Sequence, residues 1–170
     1  FDFRDPDHLA CARQVVVDSL GRIFVLRTCR ESVISVFEYN GEFLREFRFT
    51  HPVTENALTI DGIALDEQDR LFVLSVMPAH IYCYTTTGEL LSDFAIFADD
   101  TLLQNQPGYG TIALVKGKLV IPVPIEGFVA RYTTDGQLAS GLGSPGDGQG
   151  EFSFPIAAAG KSGTAETGTP

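Results

Sequence analysis

Tryptophan is absent from this 170-residue chain, lysine is scarce, and no apolar run approaches the length needed to cross a bilayer. A spanning helix needs about 20 consecutive apolar residues, so no transmembrane segment is expected. The opening Phe1-Asp2-Phe3-Arg4-Asp5 is no secretion signal, so the chain as given reads as mature or truncated. The three cysteines, Cys11, Cys29 and Cys83, have no CxxC spacing, which excludes a zinc ribbon and a dithiol redox motif. Catalytic patterns are missing too. Gly160-Lys161-Ser162 has the ending of a phosphate-binding loop, but Pro155 stands where a glycine is needed. Lys161-Ser162-Gly163-Thr164 has the form of a transpeptidase motif, yet no serine is followed by lysine three residues later. No Ser/His/Asp or Cys/His arrangement emerges. The paired carboxylates Asp99 and Asp100 are adjacent in a loop, where solvation is expected rather than a shared proton. What remains is the composition of an ordinary soluble domain with a core, 44% apolar and 20% charged.

What is present is an internal repeat. Asp18 recurs as Asp66, and Ile23-Phe24-Val25 recurs as Leu71-Phe72-Val73 and as Leu119-Val120-Ile121, at offsets of 48 residues. The turn glycines Gly41, Gly88 and Gly136 follow at spacings of 47 and 48. A period of this length means stacked supersecondary units. Within residues 15–47, period-2 alternation gives four strands: Val15-Val16-Val17, then 23–26, 33–39 and 43–47. Asn40-Gly41 between the last two predicts a tight hairpin with positive φ at both residues. Four antiparallel strands per unit make a propeller blade. The sequence therefore predicts an all-β chain of blades at about 13–49, 61–97 and 110–140, with 156–170 as a truncated fourth blade or tail. The apolar inner strands are Val15-Val16-Val17, Ile63-Ala64-Leu65 and Ile112-Ala113-Leu114. Phe24, Phe37, Phe47, Phe72, Tyr84 and Phe94 are expected to be buried between blades. Three and a half units leave two apolar blade faces without neighbours, so an incomplete or partner-closed propeller is expected.

The unit resembles the NHL-repeat blade of six-bladed propellers. The matching residues are Val17-Asp18, Gly21-Arg22-Ile23-Phe24-Val25, Ile34-Ser35-Val36-Phe37, Gly41 and Phe47. The second copy matches as Leu65-Asp66, Arg70-Leu71-Phe72-Val73, Ile81-Tyr82-Cys83-Tyr84, Gly88 and Phe94, and the third through Gly117-Lys118-Leu119-Val120-Ile121. The run from Gly146 to Pro155 resembles the family's Gly-rich connection between blades. The naming Asn-His-Leu tripeptide is absent, with His80-Ile81 as its nearest trace.

In such a propeller the loops between second and third strands emerge on the same face as the connections between blades. That gathers Asp2, Asp5, Asp7, Glu31, Glu55, Asp99, Asp100, Glu126, Asp147 and Glu151, against Arg4, Arg27 and Arg30. These leave seven of the chain's ten net negative charges on one face, which excludes nucleic acid, since phosphates are neutralised by Lys and Arg. The candidate binding residues are Asp5, Asp7, Arg27, Arg30, Glu31, Glu55, Asp99, Asp100 and Glu126. His8, His51 and His80 fall in loops of the same face and form the only metal set, for zinc or calcium; the resemblance to peptidyl-amidating lyases implies zinc at a propeller centre. No other cofactor is implied. Cys83 takes the place of Val36 as a core residue, and Cys11 and Cys29 flank one end of blade one, where an oxidising compartment would permit a disulfide. The favoured function is a non-enzymatic protein- or peptide-binding module, an accessory or scaffold subunit closed by partners or further copies. The alternative is a metal-dependent enzyme of amidating-lyase or lactonase type, or a ligand-sensing domain. The resemblance implies a bacterial periplasmic or extracellular location.

Overall fold

The computed structural model describes residues 11–75, 79–98, 108–153, 155 and 158. Strands β1 (Ala12–Val17), β2 (Ile23–Thr28), β3 (Ser32–Phe37) and β4 (Phe43–Phe47) make the first sheet. The second holds β5 (Ile60–Leu65), β6 (Leu71–Ser75), β7 (His80–Tyr84) and β8 (Leu90–Ala95). The third holds β9 (Ala113–Val115), β10 (Lys118–Val123), β11 (Phe128–Thr133) and β12 (Leu138–Leu142). Each sheet is four-stranded and antiparallel with its strands in chain order, and there is no helix among the described residues. The third inner strand begins one residue later than expected, with Ile112 buried just before it.

The repeated aspartates explain the repeated turns. Buried Asp18 accepts the backbone N–H groups of Leu20 and Arg22 on one carboxylate oxygen and the Arg22 Nε on the other. Asp66 repeats this with Gln68, Arg70 and the Arg70 Nε. A carboxylate that caps two orphan N–H groups and an arginine fixes the β1–β2 and β5–β6 hairpins. The third sheet has no such aspartate and turns tightly through Lys116 and Gly117, both at positive φ. The β3–β4 turn differs from expectation. Gly41 has φ 89° and its N–H reaches the Glu38 carbonyl, but Asn40 does not adopt positive φ. This is a type I turn closed by a left-handed glycine, with a register shift beside it, and Gly88 and Gly136 repeat it. Asn40 instead accepts the Glu42 N–H with its side chain.

The core lies in two layers between the three sheets. Phe24, Leu26, Ile34 and Val36 of the first sheet pack against Ile63, Leu71, Val73, Tyr82 and Tyr84 of the second. The opposite face of the second sheet, with Phe72, Leu74, Ile81 and Cys83, packs against Leu119, Ile121, Ala130 and Tyr132 of the third. Truncating one such ring costs about 3–5 kcal/mol. Three of the expected rings depart from the reading. Phe37 is buried but pairs across the sheet with Ile23, so it lies on the face turned away from the second sheet and packs edge-on against Phe43. Phe47 and Phe94 are only half-buried, because they lie on the outer strands. The expected bare faces are found only in part. Val15 and Val17 of β1 are 55% and 56% exposed, and Val115 and Leu142 are exposed on the third sheet. Val25, Val33 and Ser35, on the same face as Phe37, are nonetheless buried.

Candidate binding site at the loop end

The inner strands carry a device that alternation does not reveal. Register shifts fall between Ala12 and Gln14 in β1 and between Ile60 and Gly62 in β5, so Arg13 and Asp61 are the bulged residues of equivalent strands. Bulges re-aim side chains. Here they bring Arg13 Nη1 to 2.8 Å from Asp61 Oδ1. The other Asp61 oxygen accepts the backbone N–H of Tyr109 at 2.6 Å. Arg13, Asp61 and Tyr109 stand 48 residues apart, so one repeat position links all three blades. Burial pushes the Asp61 carboxyl above its ordinary value, against the Tyr109 N–H and Arg13.

Beside this chain, Gln14 of β1 is bonded to β5 and to Ile112, just before β9. Its Nε2 donates to the carbonyls of Ile63 at 2.8 Å and Ile112 at 2.9 Å, and its Oε1 accepts the Ile63 N–H at 2.9 Å. At the opposite turns, the Ser19 N–H and hydroxyl donate to Asp69 and hold its carboxyl below the usual range. The inner strands border an open groove of about 700 Å³, reached by Val15, Val17, Ile63, Thr111 and Lys116.

The expected gathering of loops on one end holds for the described segments. Cys11 and Cys29 form a disulfide, and the Thr28 N–H donates to the Cys11 carbonyl. Ser32 Oγ accepts the Ile60 N–H, Gly110 N–H donates to the Pro122 carbonyl, and Gly127 packs against Pro145. Arg30 and Glu31 lie exposed in the β2–β3 turn, Glu126 in the β10–β11 turn, and Glu55 in the connection before β5 at φ 58°. Arg27 is not a loop cation. It is the penultimate residue of β2, on the outward face of the first sheet, with its Nε on Ser35 Oγ and Nη2 on Glu46. Asp5, Asp7, Asp99, Asp100 and His8 lie outside the described residues. Asp147 accepts the Ser153 hydroxyl, and Glu151 accepts the Gly148 N–H.

His51 and His80 do not meet as metal ligands. His51 Nδ1 accepts the N–H groups of Val53 and Thr54 within its own loop, whereas His80 Nε2 lies 2.6 Å from Asp93. Tyr82 packs against both imidazoles. Among the described residues no group of three or more His, Cys, Asp or Glu is placed to hold a metal ion. Ser75 is the cross-strand neighbour of His80, but its buried Oγ makes no hydrogen bond, so the nucleophile-to-base contact of a hydrolytic triad is not made. Cys83 is a buried free thiol whose pKa burial raises, which suits the expected core residue.

Between the first two sheets at this end lies a cleft of about 320 Å³, lined by Arg13, Arg30, Glu31, Leu58, Thr59 and Asp61 among others. Arg13, Gln14 and Asp61 were not among the sequence candidates. The available signal was Asp61-Gly62 interrupting the apolar run 60–65, since a charge beside glycine in a strand marks a bulge.

Three stacked four-stranded antiparallel sheets with their first strands at the centre define a β-propeller, here in partial form. Solved structures agree on the fold. Virginiamycin B lyase from Staphylococcus aureus superposes with a TM-score of 0.60 at 17% identity, over 94% of this chain and 48% of that one. Glutaminyl cyclase from Myxococcus xanthus does so at 0.60 and 14%, over 85% and 54%. BBS1N, solved in complex with ARL6DN, does so at 0.53 and 17%, over 79% and 40%. The chain thus spans about half the length of the propellers it matches. No family model and no curated protein matches the sequence.

Proposed function

We propose that this chain is an NHL-type propeller module that binds a protein or peptide without catalysis, as an accessory or scaffold subunit whose outward sheets are covered by further blades or by a partner. The observation that carries this reading is the exposure of Val15 and Val17 on the innermost strand of the first sheet, with Val115 and Leu142 exposed at the far end of the stack. Apolar side chains at inner-strand positions exist to pack on the next blade, and contiguous exposed apolar surface marks an interaction site. A fourth blade fits the same scheme: the Ala158 N–H donates to Thr111 Oγ1 at 3.1 Å, a contact just before β9 between residues 47 apart in sequence. The Cys11–Cys29 disulfide supports a periplasmic or extracellular setting, since such bonds persist in oxidising compartments. No described helix is long and apolar enough to cross a membrane.

The test is the hydrodynamic mass of the purified chain together with binding of a hydrophobic dye. Self-association or strong dye binding is expected. A monodisperse monomer with a cooperative melt and no dye binding would sink the reading. Stoichiometric zinc or calcium in the purified protein would overturn the non-enzymatic part of it. Protease protection in intact bacterial cells tests the location.

A further inference from the structure

Arginine usage singles out one position. Among the described residues, Arg13, Arg22, Arg27, Arg48 and Arg70 pair with carboxylates, Arg45 donates to the Thr86 carbonyl, and Arg131 donates to Ser140. Arg30 alone has no partner there, and it lies exposed at the cleft between the first two sheets. Arg13 lines the same cleft, with one guanidinium nitrogen held by Asp61 and its side chain 37% exposed. The Cys11–Cys29 bond ties together the two segments that carry these arginines, since Arg13 follows Cys11 by two residues and Arg30 follows Cys29 directly. Both arginines thereby line one cleft, together with Thr28, Thr59, Ala57 and Leu58.

We propose that this cleft binds a peptide carboxylate, with Arg30 as the principal contact and Arg13, positioned by Asp61, as the second. The inference rests on the reading of the chain as a peptide-binding module and names the ligand chemistry of that module. Planar, bidentate recognition of a carboxylate is what arginine does best. A volume of about 320 Å³ suits one or two residues of an extended peptide. Glu31 and Asp61 balance the two arginines in the lining, which favours a monoanion with an apolar body over a multiply charged phosphate. The carboxylate comes from a chain terminus or an acidic side chain, and the experiment separates these sources.

The experiment follows backbone amide shifts of the disulfide-bonded chain on titration with four probes: acetyl-dileucine free acid, its carboxamide, acetyl-leucyl-glutamic acid α-amide with a free side-chain carboxylate, and inorganic phosphate at matched ionic strength. Shifts at Arg30, Glu31, Ser32 and Thr59 are expected with the free acid or the glutamyl peptide, whichever carries the natural source, and not with the carboxamide. Arg30→Gln should weaken that binding by about tenfold or more while leaving the melting temperature unchanged. Arg30→Lys should fall between the two, because it keeps the charge and loses the fork. Equal shifts with the carboxamide, tighter response to phosphate, no response to any probe up to about 10 mM, or an Arg30→Gln variant that binds like the wild type would each overturn the proposal. Because the mass and dye tests above do not involve Arg30, a cleft that binds no carboxylate leaves the closure reading standing, and the reverse also holds.

Discussion

Replacing Gln14 with alanine should loosen the centre of the molecule more than any single polar change on its surface. The side chain makes three hydrogen bonds at 2.8, 2.9 and 2.9 Å, to both backbone groups of Ile63 and to the carbonyl of Ile112. Ile63 and Ile112 are fully buried, so their backbone groups have no ready access to water. A net contribution of about 1 kcal/mol per bond gives roughly 3 kcal/mol, and stranded buried groups would cost more than this. The neighbouring groove of about 700 Å³ works in the other direction, because water entering beside Val15 could reach part of the vacated space. We therefore expect Gln14→Ala to cost about 2–3 kcal/mol in urea unfolding, with an unchanged slope. At roughly 2–4 °C per kcal/mol for a chain of this size, the melting temperature should fall by about 4–12 °C. Gln14→Glu should be worse near neutrality, where an acceptor-only carboxylate faces two carbonyl oxygens. The gap between the two variants should narrow in acid, where a protonated carboxyl can donate. Unfolding of Gln14→Ala within 0.5 kcal/mol of the wild type, a value inside the usual surface range of about ±0.5 kcal/mol, would refute the claim that this side chain joins the blades.

Gly62→Ala should also be costly, because the added Cβ would lie 2.6 Å from the Ile112 backbone nitrogen and 3.2 Å from Gln14 Oε1; a loss of about 1–3 kcal/mol is expected, and a neutral result would mean that β5 and β9 are not held this closely. Changing both Cys11 and Cys29 to serine opens a crosslink between residues 18 apart and should cost about 3 kcal/mol by denaturant unfolding, while Cys83 should resist thiol reagents until the chain unfolds. Asp61 provides the pH test. Its folded pKa is raised, so the folded state holds its proton more tightly, and this group's contribution to stability is present in acid and lost as pH rises through the raised value. Asp61→Asn should therefore gain stability relative to the wild type as pH increases from about 4, and the opposite trend would show that Arg13 outweighs burial.

Period and turn chemistry made the architecture legible. Asp18 and Asp66, with glycines 41, 88 and 136, announced three units because each acts through hydrogen bonds to neighbours within four residues. Local chemistry of that kind is written locally. Alternation likewise placed Phe24 and Phe72 in the core. It could not assign Phe37, because a period of two separates the faces of a strand without saying which face meets the next sheet.

The candidate site shows the same division. The chain itself set the positions of Arg30, Glu31 and Glu55 in connections, since connections fall where strands stop. Only the tertiary structure paired Arg13 with Asp61 across 48 residues, joined Gln14 to Ile112 across 98, and bonded Cys11 to Cys29. It also turned Arg27 to Ser35 and Glu46 and left Arg30 without a partner among the described residues. The physical reason is that a bulge adds one residue to one strand and re-aims one side chain. The direction of that side chain, and what it meets, depends on how neighbouring blades stack, which no stretch of a single strand contains.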